Sequence, residues 1–125
     1  MSKLLRIANL MGKLAEIEDK GDNWHPDGYP GPNRWVMNTI DELLPKFIEL
    51  SIVPAKLTQT VEGGLFLKWD RPQDMVAIVM EIYNTREIAY VLVDTGKIIK
   101  TGEVEPKGVV PFVVKYKTGE KYEKD

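Results

Sequence analysis

The sequence contains no cysteine and only one histidine, His25. The lack of cysteine excludes disulfide bonds, thiolate chemistry and cysteine-ligated zinc or iron–sulfur sites. One histidine excludes any site that needs two histidine ligands. No stretch approaches the roughly 20 uncharged apolar residues of a membrane-spanning helix, and charged residues interrupt the N-terminal segment, which is unlike a secretory signal. We therefore expect a cytoplasmic protein with no membrane association and no cofactor.

An excess of basic charge is also missing, since the formal net charge is −2. Nucleic-acid binding is driven by basic surface, and the sequence has neither a basic helix nor a helix-turn-helix signature. These observations argue against a nucleic-acid partner. A length of 125 residues corresponds to one domain with a single hydrophobic core.

Two helices are predicted in the first half of the chain. The first begins after Ser2 and ends near Gly21, with apolar residues at helical spacing at Leu4, Ile7, Met11 and Leu14, widened by Ala8, Leu10 and Ile17. The second is capped by Asn33 and runs from about Arg34 toward Leu44, where Pro45 ends or kinks it.

After Pro54 the apolar period changes to two, which predicts strands joined by short turns. The predicted strands are Lys56–Thr60, Leu65–Asp70, Met75–Tyr83, Glu87–Asp94 and Lys97–Glu103. Links this short favour antiparallel neighbours. The expected fold is α+β, with two N-terminal helices packed on an antiparallel meander of four to five strands. Residues 1–103 form the domain, and residues 104–125 form an extension that packs over about 109–116 and ends in a flexible charged tail.

The third and fourth strands are apolar at nearly every position, whereas a sheet with one solvated face alternates in polarity. A second cover is therefore expected, from Val109 to Val114, from the helices, or from another protein. The last alternative predicts a homodimer or a hetero-partner, with Phe66, Met75 and Val79 as candidate interface residues.

The segment from Asp22 to Trp35, DNWHPDGYPGPNRW, concentrates rigid and aromatic residues in a loop. Its candidate binding residues are Asp22, Trp24, His25, Asp27 and Tyr29. Three interpretations are open. The rings form a plug over the core, they anchor a partner because interface hot spots are rich in Trp and Tyr, or the polar residues form an active site.

Catalytic and metal-binding patterns are sparse. The glycines Gly63 and Gly64 lie in a hairpin and not between a strand and a helix, so a phosphate-binding loop is not indicated. His25 with Asp22 or Asp27 is a possible base and its orienting group, but no nucleophile is identifiable. The oxygen donors around His25 do not follow the order of a calcium loop. We expect a non-enzymatic protein, and the alternative is a small ligand-binding or hydrolytic domain using the Asp22–Asp27 loop.

Two phrases carry a resemblance to a known group of proteins. The loop DNWHPDGYPGP and the hairpin T-x-T-x-E-G-G-L-F-L-K-W resemble the DNWDGYGA-x-P loop and the P-T-x-D-G-G-[IV]-x-L-E-W hairpin of an uncharacterised family of small bacterial proteins. The chain departs from that pattern by inserting His25 and Pro26 and by Pro30. The resemblance, which covers roughly residues 4–103, implies at most a partner protein, since such proteins occur near mobile elements and toxin–antitoxin-like gene pairs.

Overall fold

A computed structural model of the chain describes residues 3–23, 25–71 and 75–117. Within these residues the elements follow in the order α1 (Lys3–Lys20), a 3₁₀ turn (Gly21–Asn23), α2 (Arg34–Glu49), β1 (Lys56–Gln59), β2 (Leu65–Arg71), β3 (Val76–Ile82), β4 (Ile88–Asp94), β5 (Lys97–Glu103) and α3 (Pro106–Lys117). Trp24 and the predicted charged tail after Lys117 lie outside the described residues. The α+β prediction, with N-terminal helices followed by an antiparallel meander, is confirmed.

The five strands form one antiparallel sheet in sequential order, β1 to β5. The turn between β4 and β5 is the tightest link, formed by Thr95 and Gly96, which both have positive φ angles of 50° and 79°. Two successive left-handed residues match the twist of a two-residue hairpin. The turn therefore joins the strands directly and fixes them as neighbours.

The three helices pack on one face of this sheet, which we call the covered face. Along β3 every second residue is buried, beginning with Val76. Trp69 of β2 lies at the centre, where its indole N–H donates to the Ile52 carbonyl at 2.6 Å. Its ring meets Phe47 of α2 edge to face at 5.4 Å. This polar handle allows a large aromatic side chain to be fully buried.

In α1 the buried face differs from the predicted one. Leu4 and Met11 are 78% and 54% exposed, whereas Leu10, Leu14 and Ile17 are buried. These buried residues belong to the predicted stripe, and Ile7 also packs against the core. The centre of the buried face is rotated toward Leu10 and Ile17 and away from Leu4 and Met11. Because α1 packs beside β1 at the edge of the sheet, only this narrow stripe meets the core, and the prediction for Leu4 and Met11 was wrong.

Helix α2 continues through Pro45 to Glu49. Pro45 cannot donate a hydrogen bond to the carbonyl of Asp41, but both residues are exposed, so water can satisfy that carbonyl. The continuation buries Phe47 in the core. At the other end the predicted cap is confirmed, because the Asn33 side chain accepts a hydrogen bond from Val36 N–H at 3.0 Å.

Helix α3 is the element that sequence analysis missed. Val109, Val113 and Tyr116 are buried in the same core as α1 and α2. The Tyr116 hydroxyl donates to the Val76 carbonyl at 2.6 Å, and Phe112 contacts the Tyr90 ring at 4.6 Å between centroids. Since α3 lies on the covered face, two of the three alternatives for the second cover, Val109–Val114 and the helices, do not hold for the described residues.

Candidate functional site

The second face of the sheet, which we call the open face, carries no helix among the described residues. Its side chains alternate with the buried ones along β3 and β4. By this alternation and the strand register, the open face consists of Lys56, Thr58, Phe66, Lys68, Asp70, Ala77, Val79, Glu81, Ala89, Val91, Val93, Ile98, Thr101 and Glu103.

An apolar strip crosses the middle of the open face. Val79 of β3 lies opposite Val91 of β4, and Ala77 lies opposite Val93. Val93 is in turn paired with Ile98 of β5, which is 67% exposed. A β-bulge between Leu92 and Val93 interrupts this last register. The strip is a contiguous apolar surface between polar rims, which is the form that protein-interaction sites take.

The two sides of the strip carry opposite charges. On the β1–β2 side, Lys56 and Lys68 lie directly opposite each other. Lys68 lies 3.7 Å from the Asp70 carboxylate, and the Lys56 ammonium lies 5.9 Å from the Phe66 ring centre. On the far side, β5 contributes the exposed Glu103. The open face therefore carries two lysines and one carboxylate on the β1–β2 side, and the single carboxylate of Glu103 on the β5 side.

One end of the open face is acidic and surrounds a tyrosine. Burial raises the pKa of Tyr83 to about 12, and a hydrogen bond to Glu81 and the nearby carboxylates of Glu62 and Glu87 act in the same direction. These carboxylates oppose the formation of a phenolate. Tyr83 is thus held as a neutral hydroxyl at every physiological pH.

The predicted interface residues fall in two places. Phe66 and Val79 lie on the open face, as the strand alternation requires. Met75 lies in the turn before β3, in a left-handed conformation with φ of 54°, and is 64% exposed. The open face therefore brings together Phe66 and Val79, with Met75 next to the start of β3.

The aromatic loop is fastened by its own polar residues. The Asp22 carboxylate accepts a hydrogen bond from Gly31 N–H at 2.8 Å. A Cβ atom at Gly31 would clash with the Gly21 carbonyl, so only glycine permits this close approach of the two loop ends. Asp22, a candidate binding residue, is therefore engaged in closing the loop.

His25 also makes local contacts. Its Nδ1 accepts a hydrogen bond from Asp27 N–H at 3.1 Å, and the Gly28 N–H donates to the His25 carbonyl at 3.1 Å. This contact engages Nδ1 within the turn as a hydrogen-bond acceptor. The Asp27 carboxylate is 3.8 Å from the same nitrogen. This arrangement forms a turn that is held by local contacts of His25.

Of the described aromatic residues in this segment, Tyr29 lies in the loop and Trp35 lies in α2. The Tyr29 and His25 rings lie 4.6 Å apart, and both side chains are half-buried. Trp35 belongs to the first turn of α2, where it is half-buried against the core. Trp24 lies outside the described residues.

Asn84, which sequence analysis missed, fastens the loop to the sheet. Its side-chain oxygen accepts from Asn33 N–H at 2.7 Å, and its amide donates to the Gly31 carbonyl at 3.1 Å. The Asn33 side chain donates to the Asn84 carbonyl at 2.9 Å. We call these three hydrogen bonds the Asn84 clasp. In sequence Asn84 has only the signature of a turn residue, so its partners 51 to 53 positions away are not apparent.

The two motifs quoted from the sequence meet at this clasp. A Cβ atom on Gly63 of the hairpin would clash with the Asn84 amide and lie 3.2 Å from the Pro30 ring. Gly63 has a φ angle of 88°, a conformation that favours glycine. The Glu62-Gly63-Gly64 turn and the Pro30-Gly31 segment thus have a shared structural role at one end of the sheet.

No group of three or more His, Asp or Glu side chains in residues 3–23, 25–71 and 75–117 is placed to hold a metal ion. Over the same ranges, no helix has the length and apolar character needed to cross a membrane.

Comparisons with protein-family models, curated proteins and solved structures find no match to this chain. The resemblance of its loop and hairpin to a family of small bacterial proteins therefore stays a prediction.

Proposed function

We propose that this chain is a non-enzymatic protein-interaction module that self-associates through the open face of its sheet. The observation that carries the proposal is the apolar strip centred on Val79 and Val91. On the covered face the sheet packs against the helices in a well-formed core. The open face presents small apolar side chains that no described element covers. Burying such a strip against a second copy removes apolar area from water.

The charges of the open face favour a second copy as the occupant. A two-fold axis parallel to the strands places the β1–β2 edge of one copy over the β5 edge of the other. By the strand register, Lys56 and Lys68 would then lie over Thr101 of the second copy, two residues along the strand from Glu103 and within reach of it for a long side chain. The same contact would repeat symmetrically. In such an interface the apolar centre supplies most of the affinity. Complementary charges at the rim fix how the two copies are oriented.

The dimensions of the sheet set the expected strength. Five strands of up to seven residues cover roughly 20 Å by 24 Å in projection, which is roughly 500 Å² per copy. This is below the roughly 800 Å² per partner of a standard stable interface. We therefore expect a reversible dimer that forms as protein concentration rises.

The described geometry of the aromatic loop gives no comparable support to the ligand-binding or hydrolytic alternative. The polar atoms of Asp22 and His25 close the loop on itself. The described cleft next to the loop is lined by residues of α1, α2 and the Pro32–Asn33 segment, and neither His25 nor Asp27 contributes to it.

Light scattering across a concentration series tests the proposal. Wild type should rise from one chain mass of 14.2 kDa toward twice that value. Val79→Glu should remain monomeric, because a carboxylate in the centre of the strip would have to be desolvated in the dimer. The matched control is Val61→Glu, since Val61 is 52% exposed in the β1–β2 turn, outside the open face. This control should dimerise like wild type.

A charge swap tests the orientation of the two copies. Lys68→Glu and Glu103→Lys should each weaken the dimer, and the double variant should restore it. A wild type that stays monomeric at every concentration, or a Val79→Glu variant that dimerises as well as Val61→Glu, would contradict self-association through the open face.

A further inference from the structure

A groove separates α1 from the segment that leads into β1. It encloses about 340 Å³, and α1 forms one wall while Pro54 to Leu57 form the other. The buried residues Leu10 and Leu57 contribute to the lining, each only 6% exposed. The groove therefore has an apolar component and lies along an edge of the sheet that is separate from the open face.

The strand beside the groove is an edge strand. β1 pairs with β2 on one side and is the first strand in the sheet order, so no described strand pairs with its other side. The Thr60 N–H donates to the Gly64 carbonyl at 3.1 Å, so Thr60 and Gly64 form a hydrogen-bonded pair. By the register, Thr58 with Phe66 is the next hydrogen-bonded pair of β1 and β2. Because bonded and non-bonded pairs alternate, the backbone N–H and C=O groups of Leu57 and Gln59 point away from β2.

The charge of the groove is positive. Arg6 and Lys13 line it from α1, together with the Asn9 amide, and none of its lining residues is acidic. Arg6 and Lys13 are two helical turns apart, about 10 Å along the axis, which corresponds to about three residues of an extended chain. Glu16, the acidic residue one turn beyond Lys13, is paired with Lys20 at 3.0 Å. Lys20 is the main cause that lowers the pKa of the Glu16 carboxyl, and Lys13 contributes less.

Lys56 contributes to the groove through a different part of the residue. It belongs to the lining, but its ammonium lies over the Phe66 ring on the open face. The positive charge available to a ligand in the groove therefore comes from Arg6 and Lys13.

We propose that the α1–β1 groove binds an extended acidic peptide segment, which adds to β1 as a further strand. Main-chain hydrogen bonds to Leu57 and Gln59 supply the strand addition, while side-chain contacts supply selectivity. Acidic side chains on the helix side of the peptide meet Arg6 and Lys13, and apolar side chains pack toward Leu10 and Leu57. This surface is distinct from the dimer interface proposed above and does not depend on it.

Amide-resolved NMR titration tests the proposal with a defined probe. The probe is a blocked heptapeptide of alternating glutamate and valine, and the control peptide replaces each glutamate with lysine. The acidic peptide should shift the amide signals of Leu57 and Gln59 and slow their hydrogen exchange. The basic peptide should do neither.

Charge reversal provides the matched variants. Arg6→Glu and Lys13→Glu should each weaken binding of the acidic peptide about tenfold or more. Both positions are on the surface of α1, so the fold should be retained. The control Lys107→Glu changes an 88% exposed lysine on α3 and should bind the peptide like wild type.

Val79→Glu separates this proposal from the proposed function, because it should abolish the dimer and leave peptide binding unchanged. Three results would overturn the groove proposal. These are equal binding of the acidic and basic peptides, unchanged affinity in Arg6→Glu and Lys13→Glu, and exchange at Leu57 and Gln59 that the acidic peptide does not slow.

Discussion

The two faces of β3 show how differently adjacent apolar residues are used. Ile78 is fully buried under the helices, whereas its neighbour Val79 is half-buried on the open face. The covered face takes bulky side chains such as Trp69, Met80 and Leu92, while the open face takes mainly Ala and Val in its central strands. The difference teaches that apolar character alone does not identify a core face. Side-chain volume distinguishes the two faces. Large side chains fill the core on the covered face, and small side chains leave a flatter surface on the open face.

The largest expected effect tests this difference directly. Ile78→Ala should lower the free energy of unfolding by about 2–5 kcal/mol, because it leaves a cavity beneath the helices. Val79→Ala should lower the free energy of unfolding by less than about 1 kcal/mol, since a half-buried side chain loses less packing. Urea denaturation at a protein concentration where wild type is monomeric gives both values. Equal losses would mean that the two faces are equally covered.

The second prediction concerns how the helix layer and loop are held at the end of the sheet. Asn84→Ala removes the two side-chain hydrogen bonds of the Asn84 clasp and should destabilise the protein by about 1–3 kcal/mol. Asn38→Ala is the control, because Asn38 is exposed on α2 and should change stability by less than about 0.5 kcal/mol. Hydrogen exchange should accelerate at Gly31 and Asn33 in Asn84→Ala alone. If both variants have the same stability, the clasp does not fasten the loop.

The smallest expected effect probes the acidic end of the open face. The pKa of Tyr83 is raised to about 12, while an unfolded tyrosine titrates near 10. Above pH 10 the unfolded chain therefore loses this proton first, so the contribution of Tyr83 to stability is present below pH 10 and is lost as pH rises toward 12. Tyr83→Phe should flatten the fall in stability over this interval. Denaturant titrations at several alkaline pH values measure the slope, and identical slopes in the two proteins would contradict the raised pKa.

Much of the fold could be predicted from local sequence. The alternation in Leu65–Asp70 and the short turns predicted neighbouring antiparallel strands, since a two-residue turn leaves no other geometry. Asn33 was identified as a helix cap because its side chain acts on an N–H three positions away. These are short-range effects, and residues close in sequence report them directly.

The errors have a common physical cause. In α1 the periodicity was correct, but Leu4 and Met11 were assigned to the core because sequence does not say how much of a helix lies over a sheet. In α3, Val109 and Val113 are β-branched and favour strands locally, but packing in the core overrides that preference. The partners of Asn84 are more than 50 residues away, so no local pattern could indicate them.

The candidate site was predicted in part. Phe66 and Val79 were predicted as candidate interface residues, and the structure places both on the open face. Their neighbours Val91 and Val93 were seen only as members of an unusually apolar strand. The α1–β1 groove was not predicted, because Arg6 and Lys13 on a helix are ordinary surface residues until β1 is placed beside them.

The sequence by itself determined the meander and the second helix with its cap, since apolar periodicity, turn residues and hydrogen bonds over a few positions specify these. It also determined that β3 and β4 would have two apolar faces. Only the tertiary structure decided which face the helices cover, because that choice depends on the summed packing of α1, α2 and α3 against one side. The same packing leaves the strip around Val79 open and places Arg6 and Lys13 next to the edge of β1.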